Sequence, residues 1–313
     1  MKDSAKSYRN SGGMAGTDSL RRALKSEQGT QSERLTAEVL LKEYIPSAGA
    51  WERVQIARNP DRPNASDYIR ALFTDFTELH GDRCFGDDKS VIGGVAFFEG
   101  RPVTLIGIQK GKNTEENILR NFGMAHPEGY RKALRLMKQA EKFHRPIITW
   151  IDTPGAYPGI GAEERGQAEA IASNLAEMMC LKVPIISIVI GEGGSGGALA
   201  LGVGNQVWML ENAVYSILSP EGFAAILYKD AAKAPEVTES MKMTGDFLLE
   251  MGVVDFLFSE GKDGIIKEFP RLCEDIRIKL RETLDYYAKK RGTNLERLRY
   301  KRFRDFGKLD ESS

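Results

Sequence analysis

The sequence predicts an α/β fold, a largely parallel sheet with helices packed on it, and three observations carry that prediction. Strand-like and helix-like segments alternate through the middle of the chain. The strand segments are near-continuously apolar rather than alternating, as strands buried on both faces are. Of 313 residues, 42% are hydrophobic and 28% charged, globular proportions that exclude disorder or a collagen-like polymer as the main state. At about 150 residues per domain, the length allows two domains or one large domain with extensions.

The elements follow in order. Residues 1–32 are rich in Ser, Gly, Thr and Gln without a sustained apolar period and read as a flexible tail; Met1–Leu20 has no apolar core of a signal peptide. A helical arm follows over 33–65, where Leu35, Val39, Leu40, Tyr44 and Ile45 recur at helical spacing before Pro60 and Pro63 mark a loop. Ser66 is placed to cap a helix with the stripe Tyr68, Ile69, Leu72, Phe73, Phe76 and Leu79, stopped by Gly81. Val91–Phe98 and Pro102–Gln109 are strands, with Glu99-Gly100 as a hairpin turn. Then come a helix over Pro127–Phe143, a strand Ile147–Ile151, a loop Asp152–Gly161 and a helix Ala162–Leu181. A strand Val183–Ile190, a glycine loop over 191–197 and a short helix Ala198–Val203 follow. Gln206–Leu210, Ala213–Ile217 and Val253–Phe258 read as further strands. Ser219-Pro220-Glu221 has the form of an N-cap, an N1 proline and an acidic first turn. From Ile265 the chain is helical and increasingly basic, through Lys289, Lys290, Arg291, Arg297, Arg299, Lys301, Arg302 and Arg304.

Lys and Arg total 44, as do Asp and Glu, so the formal charge is zero. That balance argues against a general binder of nucleic acid or anionic membrane, because both favour a basic face. No run reaches the roughly 18 apolar residues a spanning helix needs. Cys84, Cys180 and Cys273 form no CxxC pair and no even-numbered disulfide framework, so a reducing cytoplasm is the expected compartment.

Two glycine-rich segments each follow an apolar strand and precede a helix: residues 152–161 and 191–197. Glycine lets a ligand approach the backbone, and the helix beyond offers unpaired N–H groups and a positive dipole end. Together these stabilise an anion, bound or developing in a reaction. The second segment fits three patterns. Gly191-x-Gly193-x-x-Gly196 with Glu211 20 residues on fits a dinucleotide fingerprint, but the helix after it is short and the first segment stays unexplained. Gly193-x-Ser195-x-Gly197 fits a nucleophile elbow, but His80, His126 and His144 all precede the serine, so the usual base is missing. An oxyanion site made of backbone N–H groups alone needs only glycine and a helix N-terminus, and both are present.

Longer strings narrow the reading. Arg120–Met124, Pro127–Arg135, Asp152–Gly159, Ala162–Gly166, Gly191–Leu199 and Ser219–Gly222 resemble the α-subunit family of the bacterial-type acetyl-coenzyme A carboxylase carboxyltransferases. The resemblance is dense from Trp51 to Phe258, about two thirds of the chain. It implies a crotonase-type superhelix of ββα units with helical N- and C-terminal extensions; joined to the compositional reading of the two ends, which match the family weakly, this divides the chain into tail 1–32, arm 33–65, carboxyltransferase domain 66–262 and C-terminal extension 263–313. It also implies transfer of a carboxyl group from carboxybiotin, held as a substrate on the biotin carboxyl carrier protein, to acetyl-CoA, giving malonyl-CoA.

The implied partners are a β subunit with a four-cysteine zinc ribbon, the carrier protein and an ATP-using biotin carboxylase. The missing CxxC pairs fit the α side, with no metal in this chain. By the same resemblance Gly196 and Gly197 form an oxyanion hole for the ureido oxygen, with Gly193, Gly194 and Ser195 beside it. Gly155, Ala156 and Gly159 wall the biotin, and Lys110, Lys112 and Arg120 face CoA phosphates or the carrier. No side-chain base is implied, because the biotin anion takes the methyl proton. The implied location is the cytoplasm, or the plastid stroma for a plant-type homologue. A carboxyltransferase or decarboxylase subunit for another acyl-CoA, such as propionyl-CoA, is the alternative enzyme. A scaffold that binds the carrier or nucleic acid through the basic C-terminal helix is the non-enzyme alternative.

Overall fold

Apolar strands need partners on both edges, and here they find them in one mixed sheet. The structure, a computed structural model, describes residues 48–289 and 294–307. The expected tail 1–32 and the repeat from Leu35 to Ile45 lie outside these residues. Within the unit from Gly49 onward, α1 (Ala50–Ala57) and α2 (Ala65–Leu72) lead into β1 (Thr74–Glu78), β2 (Val91–Phe98) and β3 (Arg101–Ile108). The hairpin is the expected one: β2 and β3 are antiparallel, with Phe98 opposite Arg101. Helices α3 (Thr114–Leu119) and α4 (Pro127–Lys142) follow, and β2, β3 and α4 together make a ββα unit.

From β3 onward the sheet is parallel. β4 (Ile147–Thr153) and β5 (Ile185–Gly194) are its buried centre, joined by α5 (Ile160–Glu164) and α6 (Gln167–Cys180). After β5 come α7 (Ser195–Gly202), β6 (Gln206–Leu210) and β7 (Val214–Ser216). Both β6 and β7 pair with β5, the first at Ile186–Val189 and the second at Glu192–Gly194. Then α8 (Pro220–Tyr228), α9 (Ala234–Thr238), α10 (Gly245–Glu250), β8 (Phe256–Phe258), α11 (Ile265–Lys289) and α12 (Leu295–Arg304) complete the described elements. The sheet order is β1-β2-β3-β4-β5-β6-β8. Its core is filled by fully buried Trp150, Trp208 and Tyr68, the last stacked on Trp150 with ring centroids 4.9 Å apart.

Four expectations change. The helix expected through Leu79 ends at Leu72, and Phe76 belongs to β1, because the open edge of β2 offers hydrogen bonds in the register Thr77↔Val95. Its cap is Asn64, not Ser66: Asn64 accepts from the Asp67 N–H, and Asp67 Oδ2 accepts from the Asn64 N–H at 2.9 Å. The helix expected over Ala162–Leu181 breaks at Gly166, whose φ of 80° is left-handed and costs glycine nothing. The basic C-terminal end is partly interior. Arg299 on α12 is completely buried, and Arg302 pairs with Asp255 and donates to the Val253 carbonyl at 2.7 Å. Ser219 caps α8 as expected, accepting from the Gly222 N–H at 3.1 Å.

Candidate active site

The glycine loop expected over 191–197 is not a loop. β5 continues through Gly191, Glu192, Gly193 and Gly194, and α7 starts at Ser195 without a spacer. Ser195 makes the sharp turn with φ of 53°, an uncommon conformation for a residue with a Cβ. This places the end of β5 against the segment after β4. A Cβ on Gly194 would lie 2.1 Å from the Pro154 carbonyl oxygen. One on Gly197 would lie 2.7 Å from the Ala156 nitrogen and 2.8 Å from the Tyr130 hydroxyl. The two glycine segments therefore touch backbone to backbone, and packing requires the missing side chains at 194 and 197 before any ligand is considered. Thr153 Oγ1 braces the first segment, donating to the Gly155 carbonyl at 2.7 Å and accepting from its N–H at 3.1 Å.

The N-terminal end of α7 carries no side-chain cap, because its N-cap is Gly194. The first-turn N–H groups of Ser195, Gly196 and Gly197 have no intrahelical acceptor, and the dipole adds positive charge there. Gly196 is half-buried, with only Ile171 near its would-be Cβ, at 3.5 Å. A Cβ on Gly155 would meet nothing within 4 Å. The contact around Gly159 is its own neighbour, with the Tyr157 ring 2.3 Å from the Cβ position. The Tyr157 ring also stacks on His126 at 4.1 Å.

The competing patterns fare less well. Ser195 is exposed at a strand-to-helix turn, as a nucleophile elbow would be, but no histidine contacts it: His80 pairs with Asp87, and His126 Nδ1 meets the Asn121 amide at 2.9 Å. Gly191 and Gly193 are strand residues rather than a phosphate turn. Glu211, the ribose acid of a dinucleotide site, instead accepts from Ser259 Oγ and the Glu260 N–H. Among the described residues no group of three or more His, Cys, Asp and Glu side chains is arranged to hold a metal ion. No described helix is long and apolar enough to cross a membrane.

The three basic candidates do not converge. Lys110 is turned inward, with Nζ 2.7 Å from Glu192 Oε1 and 3.1 Å from Asp152 Oδ1. Lys112 pairs with Asp67 at 2.7 Å. Arg120 donates to the Lys89 carbonyl at 2.8 Å, and its Nε is buried without a partner. Sequence reasoning missed the network around Lys110. Glu192 also accepts from Arg58 Nε at 2.9 Å, and Arg58 reaches on to both carboxylate oxygens of Glu221 on α8. Burial opposes ionisation of Glu192, but Lys110 and Arg58 outweigh it and hold its carboxyl below the ordinary range. Burial likewise opposes the Lys110 charge, and Asp152 and Glu192 raise its pKa above the ordinary value. Tyr130, also missed, has a buried hydroxyl without a hydrogen-bond partner, and burial lifts its pKa.

Comparison with known proteins supplies independent information. Residues 17–307 match the family model described as acetyl co-enzyme A carboxylase carboxyltransferase-like. The chain is 59% identical over 259 residues to the acetyl-coenzyme A carboxylase carboxyl transferase subunit alpha of Geobacillus sp. (strain WCH70), covering 83% of this chain and 80% of that one. It is 58% identical over 261 residues to the subunit of the same name from Listeria monocytogenes serotype 4a (strain HCC23), covering 83% and 82%. Among solved structures it resembles transcarboxylase 12S, with a TM-score of 0.61 at 20% identity over 81% of this chain and 51% of the other. The P. aeruginosa geranyl-CoA carboxylase beta subunit follows at a TM-score of 0.56 and 15% identity, covering 81% and 49%. The chain spans about half the length of these two structures, and at such identities the likeness concerns the fold, which is the expected crotonase type.

Proposed function

The chain belongs to the acetyl co-enzyme A carboxylase carboxyltransferase-like family, and from this we infer that it is the α half of a biotin-dependent carboxyltransferase that makes malonyl-CoA from acetyl-CoA. The observation that carries the site assignment is the uncapped first turn of α7, laid against the 152–159 segment. Carboxybiotin, brought by a carrier protein as a substrate, supplies the carboxyl group. The residues present fit its ureido ring: N–H donors without a cap and open space at Gly155.

The chain's own contribution is electrostatic. The N–H groups of Gly196 and Gly197 are fixed donors for an oxygen that gains negative charge, worth about 100- to 1,000-fold in rate per donor. They need no reorganisation, because β5, β7 and the 152–159 backbone hold the turn on several sides. On this reading the proton acceptor arrives with the substrate, as the biotin anion. Gly155, Ala156 and Gly159 form the wall facing the ring. A β subunit supplies the thioester half, and an ATP-using biotin carboxylase recharges the carrier.

The test mixes the purified chain with a β partner, acetyl-CoA and carboxylated biocytin, and follows malonyl-CoA. Product should form only with both chains present. Equal product from this chain alone would refute the half-site reading, and faster turnover of propionyl-CoA than of acetyl-CoA would reassign the acyl substrate.

A further inference from the structure

We propose that Lys110 is a positioning residue for the anion site, tying the end of β4 to the end of β5 and so holding the two glycine segments together. Lys110 stands just beyond β3, the parallel neighbour of β4. Its ammonium bridges Asp152 at 3.1 Å and Glu192 at 2.7 Å. Asp152 lies two residues before Pro154, and Glu192 two residues before Gly194, so each carboxylate anchors one of the two segments. The Glu192 N–H donates to the same Asp152 oxygen at 3.0 Å. A Cβ on Gly191 would sit 2.4 Å from that oxygen, so the strand ends are already at contact.

Two buried carboxylates this close repel unless a cation separates them. Lys110 is that cation. Arg58 takes the second oxygen of Glu192 and carries the tie to Glu221 at the start of α8. Without the ammonium, the ends of β4 and β5 separate and the Gly194–Pro154 contact opens. Displacement of about 1 Å in a preorganised site costs on the order of 100-fold in rate. A phosphate ligand needs a free ammonium, and this one is engaged by two carboxylates.

The proposal rests on the carboxyltransferase reading for its kinetic arm only. With the chain assembled with its β partner, Lys110→Met should lower kcat by about 10- to 100-fold and leave KM for acyl-CoA within about twofold. Lys110→Arg should recover most of that loss. Where Lys110→Met alone folds poorly, the double variant Lys110→Met/Glu192→Gln leaves one buried carboxylate, Asp152, in place of two, so it should fold and recover part of the lost rate. Amide hydrogen exchange across 152–159 and 191–199 should quicken in Lys110→Met, a readout that needs no turnover. A raised KM with unchanged kcat would mark a phosphate contact and overturn the proposal, as would unchanged exchange. If the wild-type pair makes no malonyl-CoA, the functional reading fails, and exchange alone decides the positioning role.

Discussion

Gly196 and Gly197 are neighbours in one helical turn, yet alanine should act oppositely at the two. At Gly197 the new methyl would stand 2.7 Å from the Ala156 nitrogen, 2.7 Å from the Gly155 carbonyl carbon and 2.8 Å from the Tyr130 hydroxyl. Two of these are backbone atoms of the opposing segment, so that segment or α7 must move. Overpacking of this kind costs about 1–3 kcal/mol, a fall in Tm of roughly 2–12 °C at about 2–4 °C per kcal/mol. The N–H donor survives but is misplaced, and turnover should fall about 100-fold. At Gly196 the methyl would meet only Ile171, at 3.5 and 3.9 Å. Alanine there gains about 0.5–1 kcal/mol of helix preference, so Tm should rise by a few degrees with turnover within about fivefold of wild type. Calorimetry and malonyl-CoA formation with the β partner measure both. Gly197→Ala with unchanged Tm and rate would refute the packing argument, and equal losses at both positions would refute the distinction.

Other perturbations test separate parts of the structure. Ser195→Ala should keep turnover within about tenfold, whereas loss of a true serine nucleophile costs about a million-fold. Tyr130→Phe removes a buried hydroxyl with no partner, so thermal unfolding should show unchanged or higher stability, by up to about 1 kcal/mol; a large fall would mean the hydroxyl is bonded. Arg299→Ala strips donors from the carbonyls of Met178, Met179, Leu181 and Val183 and from Asn205 Oδ1. It should cost at least about 3 kcal/mol by denaturant titration. For Asp87, burial opposes ionisation, but Lys132, the Gly81 N–H and His80 outweigh it and bring the carboxyl from 3.8 to about 2. A depressed carboxylate stabilises the fold fully above its ordinary value and loses that contribution as pH falls through about 2. Asp87→Asn should therefore flatten the stability curve over that acid range, followed by circular dichroism.

What was legible in the sequence was local. The β2–β3 hairpin, α4, β4, β6 and the Ser219 cap all follow from short-range period and turn chemistry. Phe76 and Leu79 fit a helical stripe as well as a strand, and only the edge of β2, some twenty residues on, decides for β1. Gly166 is one glycine among many in the sequence until its left-handed backbone separates α5 from α6. At the candidate site, the glycines were readable because their density in two short segments stands out in the sequence, and close packing at Gly194 and Gly197 requires them. Glu192 was not: it sits inside the glycine run and reads as a spacer. Its partners Lys110 and Arg58 lie 82 and 134 residues upstream, and no spacing rule links them. Lys110 was singled out, but as a contact for CoA phosphates or the carrier, since the carboxylates that turn it inward belong to other strands.

Arg299 sets an order of events for the newborn chain. It is translated after every described strand, yet its guanidinium satisfies the last carbonyls of α6 and the entry to β5, 116 to 121 residues earlier. While the ribosome is still working through α11, those carbonyls can bond only to water, and the helix end beside the central strand stays frayed. The β4–β5 platform can assemble early, but it locks only when α12 arrives. A nascent chain stalled before Arg299 should therefore be cut by protease near residues 178–183 faster than the finished protein, in which Arg299 holds the carbonyls of that segment.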